Sequence, residues 1–204
     1  MRHDLLSGPI YVATTNVHKA EEIAAILSET GLDIRPAPEM PEVVEDGDTF
    51  RANALLKARA AAAALDAPAL ADDSGLAVDA LAGEPGVHSA RFAGEAADTA
   101  ANNALLIERL TALGVQDPAA AFVCYVVIAA PDGAILAEAE GRVEGLIRWP
   151  ARGERGFGYD PLFFHPPSGC RLSELTPEAK NAISHRGEAL RRLAEGLARD
   201  RGEG

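Results

Sequence analysis

The run Ala121 to Ala130, AFVCYVVIAA, constrains this chain most. It is continuously apolar and rich in β-branched and aromatic residues. Pro131-Asp132-Gly133 bounds it at once, so it reads as the best strand of the chain, followed by a hairpin turn into Ala134 to Glu140 and a further strand through Ile147. A bundle of helices has no place for such a segment. Upstream, strand-like and helix-like segments alternate. Pro9 to Thr14 (PIYVAT) reads as a short buried strand, and Thr14-Thr15-Asn16 supplies capping residues. From Val17 the pattern is helical, with Ile23, Ile26 and Leu27 on one face and Gly31 as its stop. Leu32 to Arg35 reads as a second strand and the acidic, Pro- and Gly-containing stretch Glu39 to Asp48 as a loop. Thr49 to Leu65 is a helix on propensity alone. Pro68 to Asp72 is a short apolar run ending in acid, Ser74 to Gly94 looks irregular, and Ala97 to Leu113 is helical, closed by Gly114. Leu162 to Phe164 is a brief strand, the end of the chain is mostly helical, and the charged segment from Leu197 onward is expected to fray. Early alternation with a later hairpin predicts a mixed α/β sheet.

At 204 residues the chain suits one domain, or two closely joined lobes, with a sizeable core. Asp and Glu number 31 against 19 Lys and Arg, a net charge of −12, which opposes any role coating nucleic acid. Two cysteines without a CxxC or a Cys/His cluster exclude a disulfide scaffold and a thiolate metal centre, and predict free thiols. No stretch approaches the ~20 apolar residues of a membrane helix, and the first residues lack a signal-peptide pattern. The expectation is a soluble, cytoplasmic protein.

Four segments hold residue types with chemical potential. Thr14-Thr15-Asn16-Val17-His18-Lys19 joins a strand to a helix; it reads as an anion site of backbone N–H groups and a lysine, or simply as a capped helix with an exposed lysine. No Walker or GxGxxG loop occurs. Asp72-Asp73-Ser74-Gly75, at the end of an apolar strand, suits a magnesium ion, or is a solvated turn; Glu45-Asp46 could add a carboxylate. Gly156-Phe157-Gly158-Tyr159-Asp160-Pro161 offers close backbone approach and rings for a planar group, or is a tight turn with its aromatics in the core. Lys180 to Gly187, KNAISHRG, reads as a final helix capped by Ser184 with His185 and Arg186 at its start, donors to an oxygen acceptor or surface decoration. His3, His88 and His165 show no metal-ligand spacing.

Together, ATTNVHKAEEI, DTFRANALLKARAAA, ADDSGLAVDALAGEPGVHSARFAG, RGFGYDPLFF and SELTPEAKNAISHRGEAL, in this order across nearly the whole chain, resemble the inosine triphosphate pyrophosphatase or Ham1 family. The resemblance implies one domain over residues 1–204, in which a long mixed sheet with flanking helices joins two lobes and the substrate lies in a central cleft. It implies a homodimer that hydrolyses dITP, ITP and XTP to the monophosphate and pyrophosphate with Mg²⁺, cleansing the nucleotide pool. Carried over by motif, Thr14, Thr15, Asn16, Val17, His18 and Lys19 contact the triphosphate. Asp73 is the proton acceptor and a Mg²⁺ ligand, Glu45 a second ligand, and Ser74 touches the substrate. Phe157, Gly158, Tyr159, Asp160, Lys180, His185 and Arg186 hold base and phosphates.

The chain departs from that pattern in three places. Thr15 and His18 stand where many relatives carry small residues, and Ala52 replaces a glutamate common in the TFxENA segment, which shifts metal binding onto Glu45, Asp72 and Asp73. Two other readings stand beside this one: a pyrophosphatase of modified pyrimidine or methylated nucleotides, as in the similar Maf family, and a nucleotide sensor without catalysis.

Overall fold

The computed structural model describes residues 6–39 and 41–202. Seven strands follow the order β2-β1-β3-β4-β5-β6-β7: β1 (Ile10–Val12), β2 (Ile34–Pro36), β3 (Ala69–Val78), β4 (Ala119–Ala129), β5 (Ile135–Ile147), β6 (Phe163–His165) and β7 (Cys170–Arg171). The sheet is mixed. β1 runs parallel to β2 and to β3, with Ile10 opposite Ile34 and Tyr11 opposite Ala69, whereas β6 is antiparallel to both β5 and β7. Among the described residues, five α-helices accompany it: α1 (Val17–Leu27), α2 (Phe50–Leu65), α3 (Thr99–Ala112), α4 (Pro177–Ile183) and α5 (His185–Arg201). None of the described helices is long and apolar enough to cross a membrane.

The chain divides into two compact units, residues 1–73, 124–141 and 185–204, and residues 74–123 and 142–184. The first unit has a core on either face of its strands. One side gathers Ile10, Val12, Leu70, Cys124, Val126 and Ile128 with Ile23 and Leu27 of α1 and Leu190 and Leu193 of α5. The other is almost all alanine: Ala54, Ala58, Ala61 and Ala62 of α2 lie against Ala69, Ala71, Val127 and Ala129. The alternation along β3, with Leu70 on one side and Ala69 and Ala71 on the other, follows from the two-residue period of a strand. In the second unit Leu106 and Leu110 of α3 pack with Leu76, Val78, Phe122, Val143, Ile147, Leu162 and Phe163.

Local chemistry sets the helix starts. Asn16, Thr49, Asp98 and Thr176 each accept a hydrogen bond from the backbone N–H three residues on, so four of the five helices open on a side-chain cap. α4 begins on Pro177, whose missing N–H costs nothing there.

Four sequence expectations change. β3 does not end at Asp72 but runs on to Val78, so Asp72, Asp73 and Ser74 lie in mid-strand and neither the strand end nor the solvated turn survives. The residues Ser74 to Val78, read as irregular, continue the strand because Leu76 and Val78 are buried in the second core. The segment from Leu197 stays helical to Arg201, since Leu197 is itself a core residue. The two strands expected over Ala134 to Glu140 and on through Ile147 are one, the thirteen-residue β5.

Candidate active site

Within the first unit, the two adjacent acids of β3 are separated by the pleat. Asp72 shares the face of Leu70 and is 2% exposed, under α1 and α5. Its Oδ2 lies 3.0 Å from Lys19 Nζ of α1 and accepts hydrogen bonds from Arg186 Nη2 at 2.9 Å and Nε at 3.3 Å. Arg186 Nη1 also donates to Glu22 Oε2 at 2.5 Å. Burial alone would raise the pKa of Asp72, yet Lys19, Arg186 and Lys57 outweigh it and hold the carboxyl far below the usual range. Arg186, 1% exposed, stays charged for the same reason in reverse. Cys124 lies alongside, its Sγ donating to Asp72 Oδ2 at 3.9 Å, and burial with the neighbouring carboxylate pushes its thiol up to about 12. Cys124 and Cys170 form no disulfide.

Asp73 faces the other way, toward α2. Its Oδ2 accepts from Asn53 Nδ2 at 3.3 Å and its Oδ1 from Lys57 Nζ at 3.1 Å, while the same ammonium donates to Glu45 Oε2 at 2.9 Å. Asn53 also receives Gly47 N–H at 2.8 Å, which ties the acidic loop to α2. Burial raises the pKa of Asp73, Lys57 and Lys19 oppose the rise, and Glu45 adds to it. Asp73 is thus a more basic carboxylate than Asp72, one residue away. Neither Asn53 nor Lys57 was singled out in the sequence. The signal was there: they stand four apart on α2, two polar residues on an otherwise alanine face.

The remaining first-unit candidates lie at the starts of α1 and α5. Thr14 is half-buried and its Oγ1 accepts from Asn16 N at 3.2 Å, while Thr15, Asn16, Val17 and His18 are exposed at the start of α1. Val17, 66% exposed, adds no core contact, and His18 lies 3.8 Å from Glu21. His185 and Arg186 open α5 and are buried. Ser184 closes α4 through its N–H to Lys180 O, and α5 starts at the next residue.

In the second unit Ser74 is half-buried on β3. The Gly156 to Pro161 loop is organised by Asp160, whose Oδ2 accepts from Phe157 N at 2.9 Å and from Lys180 Nζ at 2.6 Å. Gly156 has φ +75°, and a Cβ there would collide with that carboxylate, so glycine is required on both counts. Lys180 Nζ sits 4.5 Å above the Phe157 ring, a cation–π contact. Asn103 Nδ2 of α3 donates to Gly158 O at 3.1 Å and pins the loop. Tyr159 is buried, and its hydroxyl donates to Ser89 O at 2.9 Å. The ring left half-buried is Phe157. Tyr159→Phe is expected to cost about 1–2 kcal/mol by leaving that carbonyl unpaired, checked by thermal unfolding.

Glu45, Asp73 and Lys57 present two carboxylates and an ammonium on one side of a buried strand. The model of the Ham1 family matches residues 10–196. The chain belongs to the Ham1 family. Among its relatives, the dITP/XTP pyrophosphatase of Geobacter sulfurreducens is 49% identical over 92% of this chain and 96% of its own length. That of Geobacillus kaustophilus is 46% identical over 91% and 92%. A Ham1 protein of Coxiella burnetii is similar in structure, with a TM-score of 0.84 at 40% identity over 94% of this chain and 98% of its own. Membership in the Ham1 family agrees with the mixed sheet expected from the resemblance.

Proposed function

We propose that this Ham1-family chain hydrolyses dITP, ITP and XTP to the monophosphate and pyrophosphate, removing noncanonical purine nucleotides. The observation that carries the reading is the split pair on β3, one acid locked to cations and the other left basic beside Glu45, in a chain close to half identical to proteins named dITP/XTP pyrophosphatases. Water attacks the α-phosphorus, its oxygen–phosphorus bond forms as the bond to the bridging oxygen breaks, and Asp73 takes the proton while pyrophosphate departs. Lys57 orients Asp73 and Glu45, and Asn53 fixes the second Asp73 oxygen. The segment from Thr14 to Lys19 contacts the triphosphate through N–H groups at the α1 start, and Ser74 touches the substrate.

Among the described residues no group of three or more His, Cys, Asp or Glu side chains is arranged to hold a metal ion. The pair Glu45 and Asp73 fits Mg²⁺ nonetheless, since that ion takes one or two carboxylates and completes its shell with waters and phosphate oxygens. Bound there, the ion would offset charge developing on phosphate oxygens.

For the base, Phe157 supplies a ring to stack on and Lys180 and Asp160 keep its loop in place, with Gly158 and Tyr159 completing that loop. His185 and Arg186 supply donors to the 6-oxo group of hypoxanthine or xanthine; adenine carries an amino group there and leaves them unpaired. Arg186 is held in place by Asp72 and Glu22, which preorganises the start of α5. The same reading makes the protein a cytoplasmic homodimer.

The test is pyrophosphate release from dITP, XTP, dGTP and dATP, with and without Mg²⁺. Rapid release from dITP and XTP, little from dGTP and dATP, and loss of activity on chelation are expected. Equal rates on all four would overturn the specificity, and no release from any would overturn the activity.

A further inference from the structure

Gly141 has the tightest surroundings of any glycine in the first unit. It lies on β5, in register with Ala137 and Ala139, two positions that pack against the α5 side of the core. A Cβ built on Gly141 would collide with His185 O and Ala189 N and come within 3.0 Å of Ala189 Cα. All three are backbone atoms of the first five residues of α5, and none can swing aside as a side-chain tip can. One turn further on, Arg192 Nη1 donates to Glu140 O at 2.9 Å, so α5 is bonded to the same stretch of β5. The start of α5 is held from its other side as well, because Arg186 is tied to Asp72 and Glu22.

We infer that Gly141 is a positioning residue for base discrimination. It sets the depth at which the α5 start seats on β5, and through that the placement of His185 and Arg186. The inference rests on the proposed role of those two residues in reading the 6-oxo group. With a methyl at position 141, relieving contacts this short takes a shift of roughly 1 Å in the α5 start, a displacement of the size that costs about a hundredfold when it misplaces recognition groups. The Asp72 and Glu22 ties oppose that shift and convert it into misalignment.

The experiment measures kcat/KM for dITP and for dATP, whose base carries a 6-amino group in place of the 6-oxo group, in Gly141→Ala and takes their ratio, in which the fraction of folded enzyme cancels. The ratio is expected to fall at least tenfold, with KM for dITP rising more than kcat falls. Gly145→Ala is the matched control: its Cβ would strike the Phe163 ring and Phe164 O at 2.5–2.6 Å, overpacking the same strand away from α5. It is expected to lower the melting temperature and leave the ratio intact. An unchanged ratio in active Gly141→Ala, or an equal loss in Gly145→Ala, overturns the inference. Should Gly141→Ala not fold, Arg192→Ala decides, since it loosens the same seat without overpacking: a ratio lowered twofold or more supports the inference and an unchanged one overturns it. Failure of the wild-type protein to release pyrophosphate from dITP would instead overturn the proposed function itself.

Discussion

Asp73→Asn is expected to lower pyrophosphate release from dITP by about 10²- to 10⁴-fold while leaving the fold in place. The amide keeps the size of the carboxylate and one acceptor oxygen, which can serve Lys57 while the Asn53 contact is lost, but it cannot take a proton from water. Burial already disfavours the ionised Asp73, so removing its charge relieves a cost. Lys57 keeps Glu45 as a counterion. The melting temperature is therefore expected to stay within a few degrees, and dITP binding, followed calorimetrically, is expected to persist. An Asn variant with near wild-type turnover would remove Asp73 from the role of base.

Asp72→Asn, one residue away, is expected to do the opposite: it destabilises the protein by about 3–5 kcal/mol, because it strips the central anion from Lys19 and Arg186 in a site closed to water. Urea unfolding reads this as a large drop in midpoint with an unchanged slope. The sign with pH follows from the same geometry. The folded-state pKa of Asp72 is depressed below its ordinary value of 3.8, so its contribution is present above that value and is lost as pH falls below it. Wild-type stability should thus fall more steeply than that of the variant on acidification below about pH 4. Parallel pH profiles for the two proteins would show that Asp72 is not the anion that anchors the cluster.

Much of this was legible in the chain. The apolar run at β4, the hairpin turn, the capping residue Asn16 and the stop at Gly114 are local signals, and local physics decides them, whereas α1 ends at Leu27, four residues before the expected Gly31 stop. The glycines around Phe157 were legible for the same reason, because φ and close approach are properties of a few neighbouring residues. The ordered set of five motifs brought the family into view before any coordinate. Other features depend on which residues lie opposite, and no neighbour in sequence reports that. Asp72 and Asp73 look like one acidic pair until the strand carries past them, because only burial of Leu76 and Val78 in the second core keeps Ser74 to Val78 extended. The pleat then sends one acid to Lys19 and Arg186 and the other to Asn53 and Lys57. The pairing of Arg186 with residues 114 and 164 positions away is likewise invisible in the chain. Sequence determined where most strands, helices and turns lie, since backbone preference and capping act over a few residues. Tertiary structure decided which carboxylate is locked among cations and which is the more basic, since that depends on burial and on charges brought from distant parts of the chain.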